Sequence, residues 1–459
     1  MKEKNSISEI VDEKSSLEIN LKKTYEFIDN DNELLLKNFI KDLHNADIAE
    51  LIQNLDEEIL LRFILIIKSN FDPEILTHLN ESIRDEIIDL LDIKQLASNA
   101  SELDVDDAVD FIEDLEEADK TVFLNNVSEK DRKLIKEGLN YPEDSAGRLM
   151  QRKFVSMNLY WNVGQAIDFL RKNTNFLPED FYEIYLLNDK KKIAGTVPLG
   201  RLMGSNRIVS LEKIKNKKTR TINVLTDQEE VAYQFAKYAL VSAPVVNNVD
   251  EILGSITVDD VVDVIEEERE EDIFKLGGVG QADIYDAVID TTRSRFSWLL
   301  VNLITAVTAS IVISFFQASI EKVVALAVLM PIVASMGGNA GTQTLTVAVR
   351  ALATKELTAS NAFKIITKET LVGGINGIIF AIIIGILSSY WFQNNLLGIV
   401  IASAMIFNLL IAGMAGIIIP LTLSKFKIDP ALASGVILTT ITDVFGFLSF
   451  LGLASIFLI

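Results

Sequence analysis

The pattern of hydrophobic and polar residues changes its period twice along the chain. From about residue 32 to residue 138, apolar side chains recur at helical spacing, as at Leu36, Phe39, Ile40 and Leu43. From 141 to about 258, short strand-like runs alternate with short helices. Beyond Arg295 the chain is almost continuously apolar. The pattern therefore predicts a helical region, an α/β region and a membrane-embedded helical region, in that order.

Five apolar segments near the end of the chain are each long enough to cross a bilayer, which takes about 20 residues. They are residues 298–316, 323–347, 371–392, 397–423 and 430–459. Lys and Arg are concentrated before the first segment and in the loops 348–370 and 424–429, whereas the alternate loops carry only Lys322. By the positive-inside rule we expect a multi-pass protein of the cell (plasma or inner) membrane, with cytoplasmic N-terminal domains and its C-terminus outside.

Two internal repeats appear before the membrane region. Residues 46–57 resemble residues 106–117 at a shift of 60, which predicts a small α-solenoid built from helix pairs. Residues 184–197 resemble residues 244–256, which predicts a two-fold α/β module. Residues 1 to about 30 are polar, and we expect them to form a frayed leader without a signal peptide.

The α/β repeat resembles a tandem pair of cystathionine-β-synthase (CBS) domains, which are usually regulatory and often bind adenine nucleotides. The second half has Thr257 and Asp260 in the Thr-x-x-Asp spacing that can hold a ribose. The first half has Pro198, Leu199, Gly200 and Arg201 at the matching place and lacks this pair. ATP binding at the CBS module is therefore left open.

A strongly acidic helix is predicted between residues 257 and 276. Thr257 and Asp260 form a capping pair at its start, and Gly277 with Gly278 ends it. One face carries what we call the acid stripe: Asp260, Asp263, Glu267 and Glu271, flanked by Glu268 and Asp272. Like charges one turn apart repel, so either water or a cation must compensate them.

Composition narrows the choice of cation. The chain has 65 acidic and 43 basic residues, and only five of the acids but seven of the bases lie beyond residue 296, so residues 1–296 have a net charge near −24. That excess argues against nucleic acid and favours cations. The absence of Cys excludes thiolate sites, and with only His44 and His78 the sequence argues against a zinc site, so hard divalent cations with oxygen ligands fit best.

Two membrane segments contain candidate pore residues. Asp443 is the only ionisable residue between Pro430 and the C-terminus, and an intramembrane acid normally marks an ion path. Its neighbours Thr439, Thr440 and Thr442 suggest a polar lining, and the alternative is a carboxylate hydrogen-bonded to other helices. In the second segment, Pro331 and the Gly337-Gly338-Asn339 run predict a broken helix that offers neutral oxygens, unless the glycines serve helix packing.

Together these features resemble the MgtE family of magnesium channels or transporters over nearly the whole chain. The matching motifs are residues 141–150 (YPEDSAGRLM), Pro331 with Gly337-Gly338-Asn339-x-Gly341-x-Gln343, and Asp429-Pro430-Ala431 followed by Thr440-x-Thr442-Asp443. The resemblance implies a multidomain fold: an all-α N-terminal solenoid-like domain (1–138), an α/β tandem CBS module (139–258), a long acidic connecting helix and linker (259–290), and an α-helical five-span membrane domain (291–459).

The resemblance also implies roles for particular residues. Asp443 corresponds to the pore-selecting aspartate of a homodimer, with Asn339, Gly337, Gly338, Thr440 and Thr442 around the pore. The acids that would sense cytosolic Mg²⁺ are Asp106, Asp110, Asp227, Glu229, Asp260, Asp263, Glu268, Glu271 and Asp272. Ala239 stands where the family can carry one further acid.

The expected function is thus Mg²⁺ uptake through a channel that bound cytosolic Mg²⁺ closes. Mg²⁺ would be both cargo and regulator, and lipid, Mg²⁺ and a second copy of the chain are the expected partners, without nucleic acid. A Mn²⁺ or Co²⁺ channel of the same architecture, or a non-conducting membrane-anchored Mg²⁺ or nucleotide sensor, are the alternatives. We expect no enzyme, because the sequence contains no nucleophile–base set, phosphate loop or His pair.

Overall fold

The computed structural model describes residues 3–91, 93–99, 105–113, 115, 117–174, 177–178, 181–279 and 288–459. This part of the chain is mostly helical and forms two compact units, residues 1–266 and residues 267–459. The boundary between them falls inside a single helix, Val258–Gly277.

The first unit begins with a series of short helices. They are α1 (Glu3–Asp29), α2 (Glu33–Lys41), α3 (Asn45–Gln53), α4 (Glu57–Ile67), α5 (Glu81–Leu90), α6 (Ile93–Asn99), α7 (Val105–Glu113), α8 (Glu117–Asn126) and α9 (Glu129–Leu139), with 3-10 turns at Lys68–Asn70 and Pro73–His78. Their core includes Phe63, Ile112 and Phe123. The α3–α4 and α7–α8 pairs begin 60 residues apart, which confirms the predicted helix-pair repeat.

The expectation of a frayed leader is wrong, because the chain is helical from Glu3. Thr24 and Ile28, one helical turn apart, are buried, and the Phe27 ring meets the Phe39 ring edge-on at 5.9 Å. The last turns of α1 thus pack on the helices that follow.

The α/β region consists of two matching three-stranded sheets. The first contains β1 (Ser156–Asn158), β2 (Glu183–Leu187) and β3 (Ile193–Pro198), and the second contains β4 (Ile222–Asn223), β5 (Ser242–Val246) and β6 (Ile252–Thr257). In each sheet the first pair of strands is parallel and the second antiparallel. The helices are α10 (Ala146–Leu149), α11 (Val163–Lys172), α12 (Leu199–Met203), α13 (Leu211–Ile214) and α14 (Gln228–Tyr238). The predicted two-fold module is confirmed.

After α15 (Val258–Gly277), the second unit contains five helices that are long and apolar enough to cross a membrane, counted among the described residues. They are α16 (Val288–Ser314), α18 (Ala325–Ala353), α19 (Ala362–Phe392), α20 (Asn395–Lys425) and α21 (Pro430–Phe457), with the short α17 (Gln317–Lys322) between the first two. The most buried of the five is α20, which packs against α18, α19 and α21.

The predicted membrane segments are correct in number and order, but four of the five are shorter than the corresponding helices. Arg350 lies inside α18, and Lys364 and Lys368 lie inside α19, so the connection predicted as residues 348–370 is only residues 354–361. Helical hydrogen bonds continue past the hydrocarbon layer into water, where charged side chains cost nothing, so hydropathy alone underestimates helix length.

Candidate functional site

Asp443 lies at the middle of α21 and is partly buried. No hydrogen bond or ion pair reaches its carboxylate from the part of the chain that the structure describes. The hydroxyls of Thr439 and Thr440 donate to carbonyls of their own helix, at Gly435 and Val436. Among the described residues, neighbouring helices therefore do not satisfy this carboxylate, as the alternative interpretation required. Asp443 is available to a partner outside the single chain.

Two of the residues assigned to the pore are instead packed between helices. Thr442 is fully buried, and its hydroxyl donates to the carbonyl of Thr439 at 3.1 Å. Gly337 is buried against Asn408 of α20. In the single chain both residues therefore serve helix packing.

The neighbouring residues of α18 are placed differently. An added Cβ at Gly338 would meet no atom within 4 Å, and Asn339 is exposed beside Ser335. Thr342 and Thr346 continue the same exposed face at helical spacing. This polar face of α18 is a feature that the sequence reasoning named only at Asn339.

The predicted break in the second span is wrong. Helix α18 runs without interruption from Ala325 to Ala353, with Pro331 inside it. A proline removes one backbone hydrogen bond, but helices in a bundle tolerate this loss when neighbours support them. The glycines of this run allow close helix approach, which was the alternative interpretation.

At the start of α15, Asp260 acts as the cap that the sequence predicts. Its Oδ2 accepts hydrogen bonds from the backbone N–H of Thr257 at 3.1 Å and from the Thr257 hydroxyl at 2.7 Å. The Gln151 amide donates to both carboxylate oxygens at 3.4 Å. Burial raises the pKa of Asp260 to about 6, although these hydrogen bonds oppose the rise. This carboxylate is therefore already engaged.

The other acids of α15 differ among themselves. Asp263 and Glu267 are exposed, Glu268 is partly exposed, and Glu271 forms an ion pair with Lys275 one turn later. Burial raises the pKa of Asp272, and the nearby charge of Asp429 raises it further. The acid stripe is thus opposed at its end by a lysine of its own helix.

Lys275 also reaches the membrane helices, which the sequence reasoning missed. Its Nζ donates to Oδ2 of Asp429 at 2.6 Å, while Oδ1 of Asp429 caps the N-terminus of α21 through the Ala431 N–H at 2.8 Å. Burial alone would lower the pKa of Lys275, but its hydrogen bonds with Asp429 and Glu271 outweigh burial and raise it. The only sequence signals were a lone base at the end of an acidic helix and the Asp-Pro start of α21.

The predicted acids of the first unit lie on two elements. Asp106 and Asp110 share α7, and Asp110 lies 3.9 Å from Arg84 Nη1. Asp227 caps α14 by accepting from the Glu229 N–H at 3.0 Å, and both residues are exposed. The backbone of Ala239, at the end of α14, is left-handed (φ 50°). This conformation disfavours residues other than Gly, Asn and Asp.

Among the described residues, no three His, Asp or Glu side chains come together closely enough to hold a metal ion. The predicted sensing acids are therefore not assembled into a complete coordination shell within the single chain. Their assignment to Mg²⁺ stays a prediction.

Comparison with known proteins gives three matches along the chain. Residues 330–453 match MgtE, described as a divalent cation transporter, and residues 43–144 match the MgtE intracellular N domain. Residues 211–267 match the CBS domain. The three matches follow the order of the regions predicted from the hydrophobic pattern.

Several bacterial relatives carry the description magnesium transporter MgtE. The protein from Enterococcus faecalis is 33% identical over 324 residues, covering 71% of each chain. The proteins from Bacillus subtilis and Thermus thermophilus are each 29% identical to this chain. Both alignments span 92% of this chain, and they span 94% and 95% of the two relatives, respectively.

Two solved structures are similar to part of the chain. The soluble part of a magnesium transporter is 24% identical, with a TM-score of 0.48, and covers 55% of this chain and 99% of its own. The cytosolic domain of the Mg²⁺ channel MgtE in complex with ATP is 25% identical, with a TM-score of 0.47, and covers 54% and 99%.

Proposed function

The chain belongs to the MgtE family and is a multi-pass membrane protein, and from this premise we propose that it carries Mg²⁺ across the membrane as a channel. The family is one of transporters rather than of enzymes. The relatives named as magnesium transporters align with nearly the whole chain, which supports the same cargo here.

The observation that carries this proposal is the Asp443 carboxylate, which lies within a membrane-spanning helix and has no hydrogen-bond or ion-pair partner among the residues that the structure describes. A charge in that position costs at least a few kcal/mol unless it meets water, a cation or a partner group. Two copies of the chain around a two-fold axis would bring two Asp443 carboxylates together across a pore. Mg²⁺ keeps much of its hydration and prefers octahedral oxygen, so such a pair would hold the ion through its water molecules.

The exposed polar face of α18 supports the pore as well. Asn339, Thr342 and Thr346 supply neutral oxygens on an exposed face of a helix that is long and apolar enough to span the membrane. Carboxylates attract the ion, whereas pore width and the placement of neutral oxygens set its selectivity. Thr440, which borders Asp443, is the partly exposed threonine on α21 that fits the same lining.

Cytosolic Mg²⁺ would close the channel by bridging acidic surfaces. The proposed ligands are the acids that the family resemblance assigns, namely Asp106, Asp110, Asp227, Glu229, Asp260, Asp263, Glu268, Glu271 and Asp272. Without cations these surfaces repel, and a ligand that binds the closed state better shifts the equilibrium toward closure. Asp260 and Glu271 already have partners within the chain, so of the proposed ligands on the acid stripe, exposed Asp263 is the one best placed to take a bridging ion.

The loop charges support cytoplasmic N-terminal domains and an external C-terminus. An adenine nucleotide is a second regulatory ligand for the CBS region, supported by the ATP complex of a related cytosolic domain. The Thr257–Asp260 pair that could meet its ribose lies in the second half only. Thermal-shift titration of the full chain with ATP, compared with Thr257→Val, tests this extension.

The proposed function is tested by ion flux into proteoliposomes that contain the purified full chain. Mg²⁺, Mn²⁺, Co²⁺ and Ca²⁺ are compared at equal concentration, with empty vesicles as the control. We expect Mg²⁺ flux to exceed the others. Preferred Mn²⁺ or Co²⁺ flux would support the alternative cargo, and no flux of any ion would support a non-conducting sensor.

A further inference from the structure

The last turn of α15 is attached to the membrane helices by one lysine. The side chain of Lys275 is 22% exposed, and its ammonium contacts carboxylates on two helices, Glu271 on α15 and Asp429 at the start of α21. Glu271 and Asp429 are 39% and 34% exposed, so water screens this cluster only in part. A third carboxylate, Asp272, lies within the field of Asp429.

The two helix ends favour this arrangement of charges. Lys275 lies in the last turn of α15, where the helix dipole favours a cation, and Asp429 lies at the N-terminus of α21, where it favours an anion. Because one oxygen of Asp429 caps α21 and the other meets Lys275, the aspartate is held in one orientation. The ion pair therefore joins two oriented groups and loses less side-chain entropy than a surface pair.

Apolar contacts surround the same turn. Leu276 packs against a cluster that includes Leu345 of α18, Ala415 of α20 and Leu438 of α21. Gly278 follows with φ +69°, and a Cβ there would overlap the indole of Trp298 on α16. The end of α15 and the residue after it thus lie against the membrane-spanning helices, with Leu276 on a cluster shared by α18, α20 and α21 and Gly278 beside α16.

We propose that Lys275 is a built-in cation that holds the end of α15 on the membrane helices, so that part of the closed state needs no bound Mg²⁺. This proposal rests on the proposed function, in which α15 regulates the pore. We call the ion pairs of Lys275 with Glu271 and Asp429 the Lys275 latch.

The latch would change how the channel responds to Mg²⁺. Three carboxylates beside one another would repel if no cation lay among them, and the lysine supplies one that cannot diffuse away. Mg²⁺ bound elsewhere on the acidic surfaces then adds to an existing closing force. Removing the latch should therefore raise activity without Mg²⁺ and increase the Mg²⁺ concentration that closes the channel.

Patch recordings of the reconstituted full chain, first with EDTA and then with rising Mg²⁺ on the cytosolic face, test the latch. Lys275→Gln and Asp429→Asn remove the ion pair, and asparagine still caps α21. We expect open probability in EDTA to rise roughly fivefold, a moderate effect because the pair is partly exposed. Lys275→Arg should stay near wild type, and the double variant should show no more than either single change.

The matched control is Lys425→Gln, which removes the same charge from an exposed position near the end of α20. If Lys275→Gln and Asp429→Asn behave like this control, the latch is wrong. If the wild-type protein conducts no ion, the proposed function fails, and the latch is then judged by a measurement that needs no transport.

That measurement uses a single cysteine, since the chain has none of its own. Leu276→Cys reports the packed side of the turn, and Ile273→Cys, at a position where the side chain is 67% exposed, reports the open side. In EDTA, we expect slow alkylation at position 276 that becomes roughly fivefold faster when Asp429→Asn is added, with no change at position 273. Equal rates at position 276 with and without Asp429→Asn would overturn the latch.

Discussion

The side-chain amide of Asn408 donates a hydrogen bond to the backbone carbonyl of Val333, 2.8 Å away, across the contact between α20 and α18. Asn408 is fully buried, and Gly337 of α18 and Gly446 of α21 lie against its amide. The polar side chain of Asn408 therefore lies where three membrane helices meet. It fits because the residues that face it on two of these helices are glycines, which have no Cβ. Small residues serve this kind of close approach in membrane proteins.

Gly337→Ala should destabilise this junction, because the new methyl group would overlap the Asn408 amide. Overpacking of this kind typically costs about 1–3 kcal/mol. Gly338→Ala is the matched control, since it makes the same change one residue away in open space. Thermal unfolding in detergent should show a lower midpoint for Gly337→Ala alone, and equal midpoints would contradict the packing role.

The membrane region illustrates what the sequence could predict. Hydropathy and loop charge are local properties, so the number and order of the spans followed from them. The unbroken α18 did not follow, because whether glycines open a helix or let it pack depends on Asn408, about 70 residues later. Gly337 and Gly338 look alike in the sequence, and only their neighbours distinguish them.

A second prediction concerns Arg148, in the motif at residues 141–150. Its guanidinium forms a two-bond ion pair with Glu113 of α7, and its Nε donates to the carbonyl of Tyr141 at 3.0 Å. Burial raises the pKa of Glu113 even with Arg148 beside it, so the carboxylate depends on this partner. We expect Arg148→Lys to destabilise the first unit by about 2 kcal/mol, the contribution of a hydrogen bond to a charged group, because lysine cannot make the fork of hydrogen bonds.

The comparison for Arg148 is Arg207, which also forms two bonds to a carboxylate, Asp168, but with both side chains 53% exposed. Exposed pairs contribute little to stability. Calorimetry of the full chain should therefore show a clear shift for Arg148→Lys and a small one for Arg207→Lys. Equal shifts would mean that the motif does not fasten α7 to the α/β region.

A third prediction follows from Asp260, whose pKa burial raises to about 6. An aspartate in an unfolded chain titrates near 3.9, so the folded protein binds this proton more tightly. The resulting stability is fully present below about pH 4 and is lost as the pH rises through about 6. Relative to Asp260→Asn, the wild-type protein in EDTA should therefore lose up to about 3 kcal/mol across this range.

Calorimetry between pH 4 and pH 8 in Mg²⁺-free buffer would measure this loss. Glu270→Gln removes an exposed acid from the same helix and should keep the wild-type pH dependence. If Asp260→Asn also keeps it, the burial of Asp260 has no energetic consequence.

The contacts around Asp260 and Lys275 differ in how far the sequence could predict them. Thr257 and Asp260 are three residues apart, and the capping pattern predicts their hydrogen bond directly. Lys275 and Asp429 are 154 residues apart, and nothing in either local pattern connects them. The sequence therefore predicts the hydrogen bonds at the start of the acidic helix but not the ion pair at its end.

A fourth prediction concerns Asp443. Asp443→Asn preserves the shape of the side chain but removes its charge, and an amide oxygen cannot replace that counter-charge for a divalent ion. We expect Mg²⁺ flux to fall by roughly ten- to hundredfold, the loss of one charged hydrogen-bonding partner, while insertion into the membrane persists. Thr308→Val, on an exposed face of α16, should leave flux unchanged. Undiminished flux in Asp443→Asn would remove this residue from the pore.

The last prediction concerns inhibition by cytosolic Mg²⁺. If ions bridge the acids of α15, neutralising a single exposed residue by Asp263→Asn should raise the Mg²⁺ concentration needed for half-closure. The same change at Asp260 should have a smaller effect, because Thr257 and Gln151 already occupy its oxygens.

A multiple variant neutralises five acids together: Asp260, Asp263, Glu268, Glu271 and Asp272. It removes the bridging ions but also the repulsion between the acids, so the open probability without Mg²⁺ can change in either direction. The response to Mg²⁺ separates these effects, because a channel without ligands stays at one activity at every Mg²⁺ concentration. Patch recordings across a range of cytosolic Mg²⁺ would therefore give a flattened curve for the multiple variant. A Glu57→Gln, Glu58→Gln variant at the start of α4 controls for the general loss of negative charge. If the multiple variant keeps the wild-type curve, the acids of α15 are a solvated face and the sensor lies elsewhere.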